Sequence, residues 1–118
     1  MTGTPQPDGW RALLEAAISQ LRTGRVQQAL ADLRRAAVLA PKERDVRYWL
    51  ANAYRMAGQP LRSRELFREL LAESPDDFGV SQAFAFMLRE HGDPEQAADV
   101  LTKAAESPAK VERTENGR

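Results

Sequence analysis

The sequence repeats itself with a period of 34 residues, and this period constrains the fold more than any other feature of the chain. Three glycines, Gly24, Gly58 and Gly92, follow the period, and Pro41 and Pro75 are separated by one step of it. Three further columns hold small or apolar residues: Ala17, Ala51 and Ala85; Ala29, Ser63 and Ala97; and Leu33, Phe67 and Leu101. Such a period is typical of stacked copies of one structural unit, each burying its apolar face against its neighbours.

The pattern of each 34-residue repeat predicts two helices separated by a turn. The glycines fall in the turns, where a residue in the left-handed region can end a helix without a steric penalty. Pro60 and Pro94 stand at first positions of helices, where a missing N–H costs no hydrogen bond. Asp76, Asp77 and Asp93 are suited to capping the helices that follow them. No segment shows the sustained alternation of a strand. The predicted helices are 9–23, 26–40, 43–57, 60–73, 77–91 and 94–107.

The second 34-residue repeat resembles the tetratricopeptide repeat, whose pattern runs W-x2-L-G-x2-Y, then a glycine, then A-x3-F and a final proline. The residues that carry the resemblance are Leu50, Ala51, Tyr54, Gly58, Ser63, Phe67 and Pro75. Arg47 stands where the family prefers tryptophan, and Leu70 replaces a late alanine. The first repeat has Gln20 in place of the tyrosine, and the proline of the third repeat, Pro108, comes one residue early. The resemblance covers residues 10–108.

The resemblance implies an all-α fold, an α-α superhelix in the form of a right-handed solenoid of three helix hairpins with six helices. We expect one such domain over residues 9–108, with repeats at about 10–43, 44–77 and 78–108. Residues 1–8 and 109–118 are rich in polar residues and poor in large apolar ones, so we expect both ends of the chain to be disordered.

In this family the first helix of each repeat lines a concave groove that binds partners. The groove positions that the resemblance implies here are Leu14, Ile18, Arg22, Tyr48, Trp49, Asn52, Arg55, Met56, Gln82, Phe86 and Arg89. Aromatic residues, methionine and arginine are enriched at protein interfaces, so the set favours a protein or peptide partner. Tyr48 and Trp49 are adjacent and diverge by about 100° on a helix, so at most one points into the centre of the groove. The alternative is that either ring packs in the core.

Residues that carry common catalytic and metal chemistry are scarce. The chain has no cysteine, and His91 is its one histidine, placed at the end of a predicted helix where it suits the helix dipole. No glycine-rich phosphate loop is present, because the glycines are isolated and spaced by turns. We therefore expect no enzymatic activity, no metal site and no cofactor.

Charge is unevenly distributed although the formal net charge is zero. Residues 1–68 carry 12 Lys/Arg and 6 Asp/Glu, whereas residues 69–118 carry 5 and 11. The opposite net charges of these two segments indicate either solvated helix faces or association of two copies through opposite charges. Nucleic-acid binding is less favoured, because the central arginines fall on several helix faces.

The leading hypothesis is a cytoplasmic bacterial interaction module that acts as an adaptor, scaffold or small chaperone. The sequence has no apolar segment long enough to span a membrane and no signal peptide at its start. Two alternatives stay open: an N-terminal repeat domain of a longer enzyme, such as a transferase, and a self-associating structural protein.

Overall fold

A computed structural model describes residues 9–106 and contains six helices in that range and no strand. Their bounds are α1 Gly9–Arg22, α2 Val26–Leu39, α3 Arg44–Met56, α4 Pro60–Glu73, α5 Phe78–Glu90 and α6 Pro94–Ala105. The predicted all-α class and the six helices are therefore confirmed. The disorder expected for residues 1–8 and 109–118 lies outside the described residues, as do the predicted domain end and Pro108.

The predicted helix bounds were correct at both ends of α4 and one residue too long at most of the other ends. The reason is that capping residues were counted as helical: Glu43 and Asp77 are N-caps, and Ala40, Ala57 and His91 are C-caps. A cap residue lies half inside the helix and lacks helical backbone angles. The largest difference is in α6, which ends at Ala105.

Three turns within the repeats share one hydrogen-bonded geometry. Gly24, Gly58 and Gly92 have φ angles of 82°, 79° and 81°, the left-handed region that only glycine adopts cheaply. In each turn the residue after the glycine donates its backbone N–H to the carbonyl oxygen five residues earlier, at a distance of 2.8 Å. One example is the bond from Gln59 to Tyr54. This is the Schellman arrangement, which satisfies a carbonyl that the helix end leaves open. The 34-residue period is thus a period of turn geometry.

The described chain separates into two compact units, with the boundary between Ser63 and Arg64 inside α4. In the first unit α1 packs against α2, and both helices contact α3. Gln20 Nε2 on α1 donates a hydrogen bond of 3.2 Å to Asp32 Oδ2 on α2. Arg34 Nε on α2 donates one of 3.2 Å to the Tyr54 hydroxyl on α3. The sites where the repeat pattern places tyrosine are therefore polar links between helices in this unit.

The second unit contains the remainder of α4 together with α5 and α6, which pack against each other. Its core includes Phe67, Leu70, Val80, Phe84, Met87 and Leu88. Ala97 and Ala104 of α6 are buried, whereas Val100 and Leu101 are only half-buried. Leu101 is therefore less enclosed than Leu33 and Phe67, the other members of its column. Burial at this column depends on how much structure covers α6, which the period alone does not specify.

The small-residue columns lie in the interior, as the 34-residue period predicts. Ala17, Ala51 and Ala85 have no exposed surface, and Ala29, Ser63 and Ala97 have at most 1%. A side chain no larger than a methyl or hydroxymethyl group lets neighbouring backbones approach closely, and interiors of proteins tolerate little extra volume. These columns therefore fix the spacing of the helices.

Candidate partner-binding residues

The largest concentration of predicted binding residues lies on α3. Tyr48 and Trp49 are both half-buried, and their rings contact each other edge to face with centroids 5.3 Å apart and planes at 82°. Arg55 is half-buried, and Met56 is 41% exposed. Neither ring is fully enclosed by the core, so each keeps apolar surface available to a partner. The mutual contact restricts both rings, which lowers the conformational entropy that binding would remove.

Asn52 lies on the same helix but is 8% exposed, and its side-chain amide is already engaged. Asn52 Nδ2 donates a hydrogen bond of 3.0 Å to the Tyr48 carbonyl, one turn earlier in α3. An amide has two donor hydrogens and an acceptor oxygen, so this bond leaves further capacity on the side chain. The burial of Asn52 nevertheless limits the contact that it offers to a partner, and its hydrogen bond is made within α3.

The α1 residues divide between core and surface. Leu14 is 9% exposed and belongs to the core of the first unit, which leaves it little surface for a partner. Ile18 is half-buried one turn later, and Arg22 is exposed at the end of the helix. Because α1 contacts α3, Ile18 and Arg22 lie on a helix adjacent to the one that carries the aromatic pair. The first unit therefore offers apolar surface and cations on two neighbouring helices.

The α5 residues are all on the surface of the second unit. Gln82 and Arg89 are exposed, and Phe86 is 48% exposed. Their spacing of four and three residues places the three side chains on one face of the helix. The opposite face carries Phe84, Leu88 and other core residues. A half-exposed phenylalanine between an amide and a guanidinium is a composition found at protein interfaces.

Two exposed apolar residues on second helices were not singled out by the sequence analysis. Val38 on α2 is 81% exposed and Leu61 on α4 is 74% exposed. The repeat period contains a signal for both, since the column of Val38 otherwise holds Ala72 and Glu106, and the column of Leu61 otherwise holds Gln27 and Glu95. An apolar side chain in a column that is small or polar elsewhere indicates a surface peculiar to one repeat.

No group of three or more potential metal ligands comes together within residues 9–106. None of the helices in that range combines the length and the apolar character that crossing a bilayer requires.

The fold and its repeated turns define a protein of helical repeats. The sequence profile of the tetratricopeptide repeat matches residues 6–78, well over half of the chain, and the chain belongs to that family. No curated protein matches the sequence significantly.

Solved structures of two tetratricopeptide repeat proteins resemble the fold. MamA is 20% identical with a TM-score of 0.73, over 91% of this chain and 61% of MamA. PilF of Pseudomonas aeruginosa is 26% identical with a TM-score of 0.74, over 91% of this chain and 49% of PilF. The chain thus spans about half to three fifths of the length of these relatives. Together they establish the fold, which commonly mediates contacts between proteins.

Proposed function

We propose that the chain is a non-catalytic adaptor or scaffold that binds another protein through the first helices of its repeats, α1 and α3 in the first unit and α5 in the second. The observation that carries the proposal is the half-buried pair Tyr48 and Trp49 with Met56 exposed about two turns later. Tryptophan, tyrosine and methionine are over-represented where proteins meet partners. The proposed setting is the cytoplasm of a bacterium, and only the bacterial origin is supported by the likeness to PilF of Pseudomonas aeruginosa.

Electrostatics favour a partner segment that carries acidic residues near its apolar anchors. In the first unit the proposed surface contains Arg22 and Arg55, and in the second unit it contains Arg89. A planar guanidinium binds a carboxylate through two parallel hydrogen bonds, which adds orientation to attraction. Apolar anchors flanked by arginines therefore suit an extended or helical segment with alternating apolar and acidic side chains.

The test is capture of the partner from extracts of the native host, its identification by mass spectrometry, and measurement of binding with both purified proteins. A variant combining Trp49→Ala, Arg55→Ala and Phe86→Ala is expected to weaken binding at least about 100-fold, since central aromatic and arginine residues commonly dominate affinity. Circular dichroism checks that the helices remain.

A control variant removes two apolar side chains and one cation from other faces. Val38→Ala, Leu61→Ala and Arg25→Ala together delete two exposed apolar residues and one exposed cation outside the first helices. Binding should change less than about threefold, because contacts away from a central cluster are energetically near neutral. Equal loss in both triple variants, or full binding by the first one, would contradict the assignment.

Self-association is a second candidate, favoured by the charges of the two units. Residues 9–63 carry ten Lys/Arg and four Asp/Glu, and residues 64–106 carry four and ten. The change of sign thus falls at the boundary between units, so the basic unit of one copy attracts the acidic unit of another. Sedimentation at low and high salt tests this candidate. An oligomer that dissociates as salt screens the charges supports it, and a monomer at both salt concentrations rules it out.

A further inference from the structure

The second unit contains an apolar cavity that none of the proposed groove residues lines. It has a volume of about 310 Å³ and lies among the later turns of α4, the loop at Pro75, the start of α5 and the later turns of α6. Its apolar wall consists of Leu71, Ala72, Pro75, Val100 and Ala104. The volume is near the lower end of the roughly 300–1,000 Å³ of pockets that hold small ligands. The cavity is therefore suited to one or two aliphatic groups.

The cavity lies at a column of the 34-residue period where the third repeat has a small residue. Ser81 lines it, and the equivalent positions one and two periods earlier hold the larger residues Arg47 and Leu13. Interiors are normally packed without gaps, so a small side chain at such a column leaves space unless neighbours move in. Here Leu71 and Val100 remain half-buried beside the space.

The Ser81 hydroxyl is a buried polar group that lacks a partner. The residue is 1% exposed, and its Oγ has no hydrogen-bond partner within the described part of the chain. A buried hydroxyl without a partner costs free energy. Because the Oγ itself is inaccessible to solvent, the hydroxyl lies behind the wall, and the surface that the cavity presents at Ser81 is apolar.

Two cations lie at the cavity in a unit that is otherwise acidic. Residues 64–106 contain four Lys/Arg, and two of the four, Arg68 and Lys103, line the cavity. No carboxylate lines it, and neither cation forms an ion pair among the described residues. Exposed cations beside an apolar pocket attract a carboxylate attached to an aliphatic group.

We propose that this cavity is a second binding site, which receives an aliphatic side chain of a partner protein with a carboxylate one to four residues away in the same segment. Arg68 and Lys103 pair with the carboxylate, and the apolar wall encloses the aliphatic side chain. The site does not depend on the first-helix surface: Ser81 and Gln82 are adjacent, and adjacent residues diverge by about 100° on a helix.

The experiment uses the full chain and an array of eight-residue peptides with one leucine followed by one aspartate at spacings of one to four. Companion peptides replace the leucine by serine or the aspartate by asparagine. Two-dimensional NMR of the labelled protein locates the binding. We expect at least one spacing to shift the amide signals of Leu71, Ser81, Val100 and Ala104, and the asparagine version to bind about two- to fivefold more weakly.

Variants of the cavity separate its contributions. Ala72→Leu narrows the mouth at an exposed position, and we expect about tenfold weaker binding, whereas Ala98→Leu adds the same volume elsewhere on an exposed face and should have no effect. Arg68→Ala should reproduce the loss seen with the asparagine peptide, and Arg25→Ala in the first unit should not. Trp49→Ala and Phe86→Ala should leave this binding unchanged, so failure here is distinguishable from failure of the first-helix proposal.

Three outcomes would overturn the inference. The first is that no peptide shifts the cavity signals, and the second is that the asparagine and aspartate peptides bind equally. The third is that 4-methylpentanoate, a small branched carboxylate, binds in the cavity while every peptide fails, which would assign the site to a small acid rather than to a protein segment.

Discussion

Phe67 on α4 and Phe84 on α5 stack with ring centroids 5.6 Å apart and ring planes inclined by 24°. Both rings are almost completely buried in the second unit. Phe67 occupies the column of Leu33 and Leu101, so the aromatic pair is peculiar to the second repeat and its neighbour. Stacked rings contribute attraction beyond the area that they bury. The pair therefore contributes to the packing of α5 against the part of α4 that lies in the second unit.

Replacing Phe67 by alanine should destabilise the chain by about 3–5 kcal/mol, because it removes a buried ring and leaves a cavity. Urea denaturation followed by circular dichroism measures the change. Phe86→Ala is the control, since it removes the same ring from a residue that is 48% exposed. We expect the control to lose less than half as much stability. Similar losses for both variants would show that the stacked pair has no special role.

The turn at Gly58 should tolerate no side chain without cost. A Cβ at this position meets no atom within 4 Å, so the cost of Gly58→Ala arises from its φ of 79° alone, and we expect about 1–2 kcal/mol of destabilisation. Gly79→Ala is a matched control inside α5, where the new Cβ would lie 3.6 Å from Asp77 Oδ1. There we expect a gain of about 0.5–1 kcal/mol, because alanine favours helix. The thermal melting temperature should therefore fall for Gly58→Ala and rise for Gly79→Ala.

Asp77 caps α5 by accepting a hydrogen bond of 3.1 Å from the Val80 backbone N–H. Asp77→Ala should therefore cost about 0.5–2 kcal/mol, and Asp77→Ser should retain most of the stability, because serine also caps helices. Asp76 precedes it in the same turn and is exposed, so Asp76→Ala should change the free energy of unfolding by less than about 0.5 kcal/mol. Denaturant titration of all three variants provides the comparison, and equal losses at positions 76 and 77 would refute the capping role.

Ala51 has no exposed surface, and its column holds alanine in every repeat. Ala51→Leu should destabilise the chain by about 1–3 kcal/mol, because overpacking forces the surrounding side chains and backbone to shift. Ala16→Leu adds the same volume at an exposed position of α1 and should be nearly neutral. If thermal melting shows no loss for Ala51→Leu, the column does not set the spacing between helices.

Local signals in the sequence were sufficient for the helices and turns. A positive φ at Gly58, a capping carboxylate at Asp77 and a proline at the start of α4 each act within one turn of chain, so their positions can be read directly. Four helix ends were predicted one residue late, because a residue just beyond a helix differs from the last helical residue only in its backbone angles. The repeat period then supplied the family.

Burial within the repeat was less predictable. Leu14 was expected at the binding surface but lies in the core. The period makes it equivalent to Tyr48, which is half-buried, and to Gln82, which is exposed. Exposure therefore differs within one column, because it depends on which side chains cover a given helix, and the period does not specify that covering.

By itself, the sequence determined that residues 9–106 form six helices in tetratricopeptide repeats, because turns, caps and a 34-residue period are encoded by nearby residues. Only the tertiary structure decided that Tyr48 and Trp49 contact each other, that the Asn52 amide bonds to its own helix, and that a cavity opens at Ser81. The first two features depend on the rotamers that the surrounding packing allows, and the cavity depends on how side chains from distant parts of the chain fill the same volume. No spacing along the sequence specifies that packing.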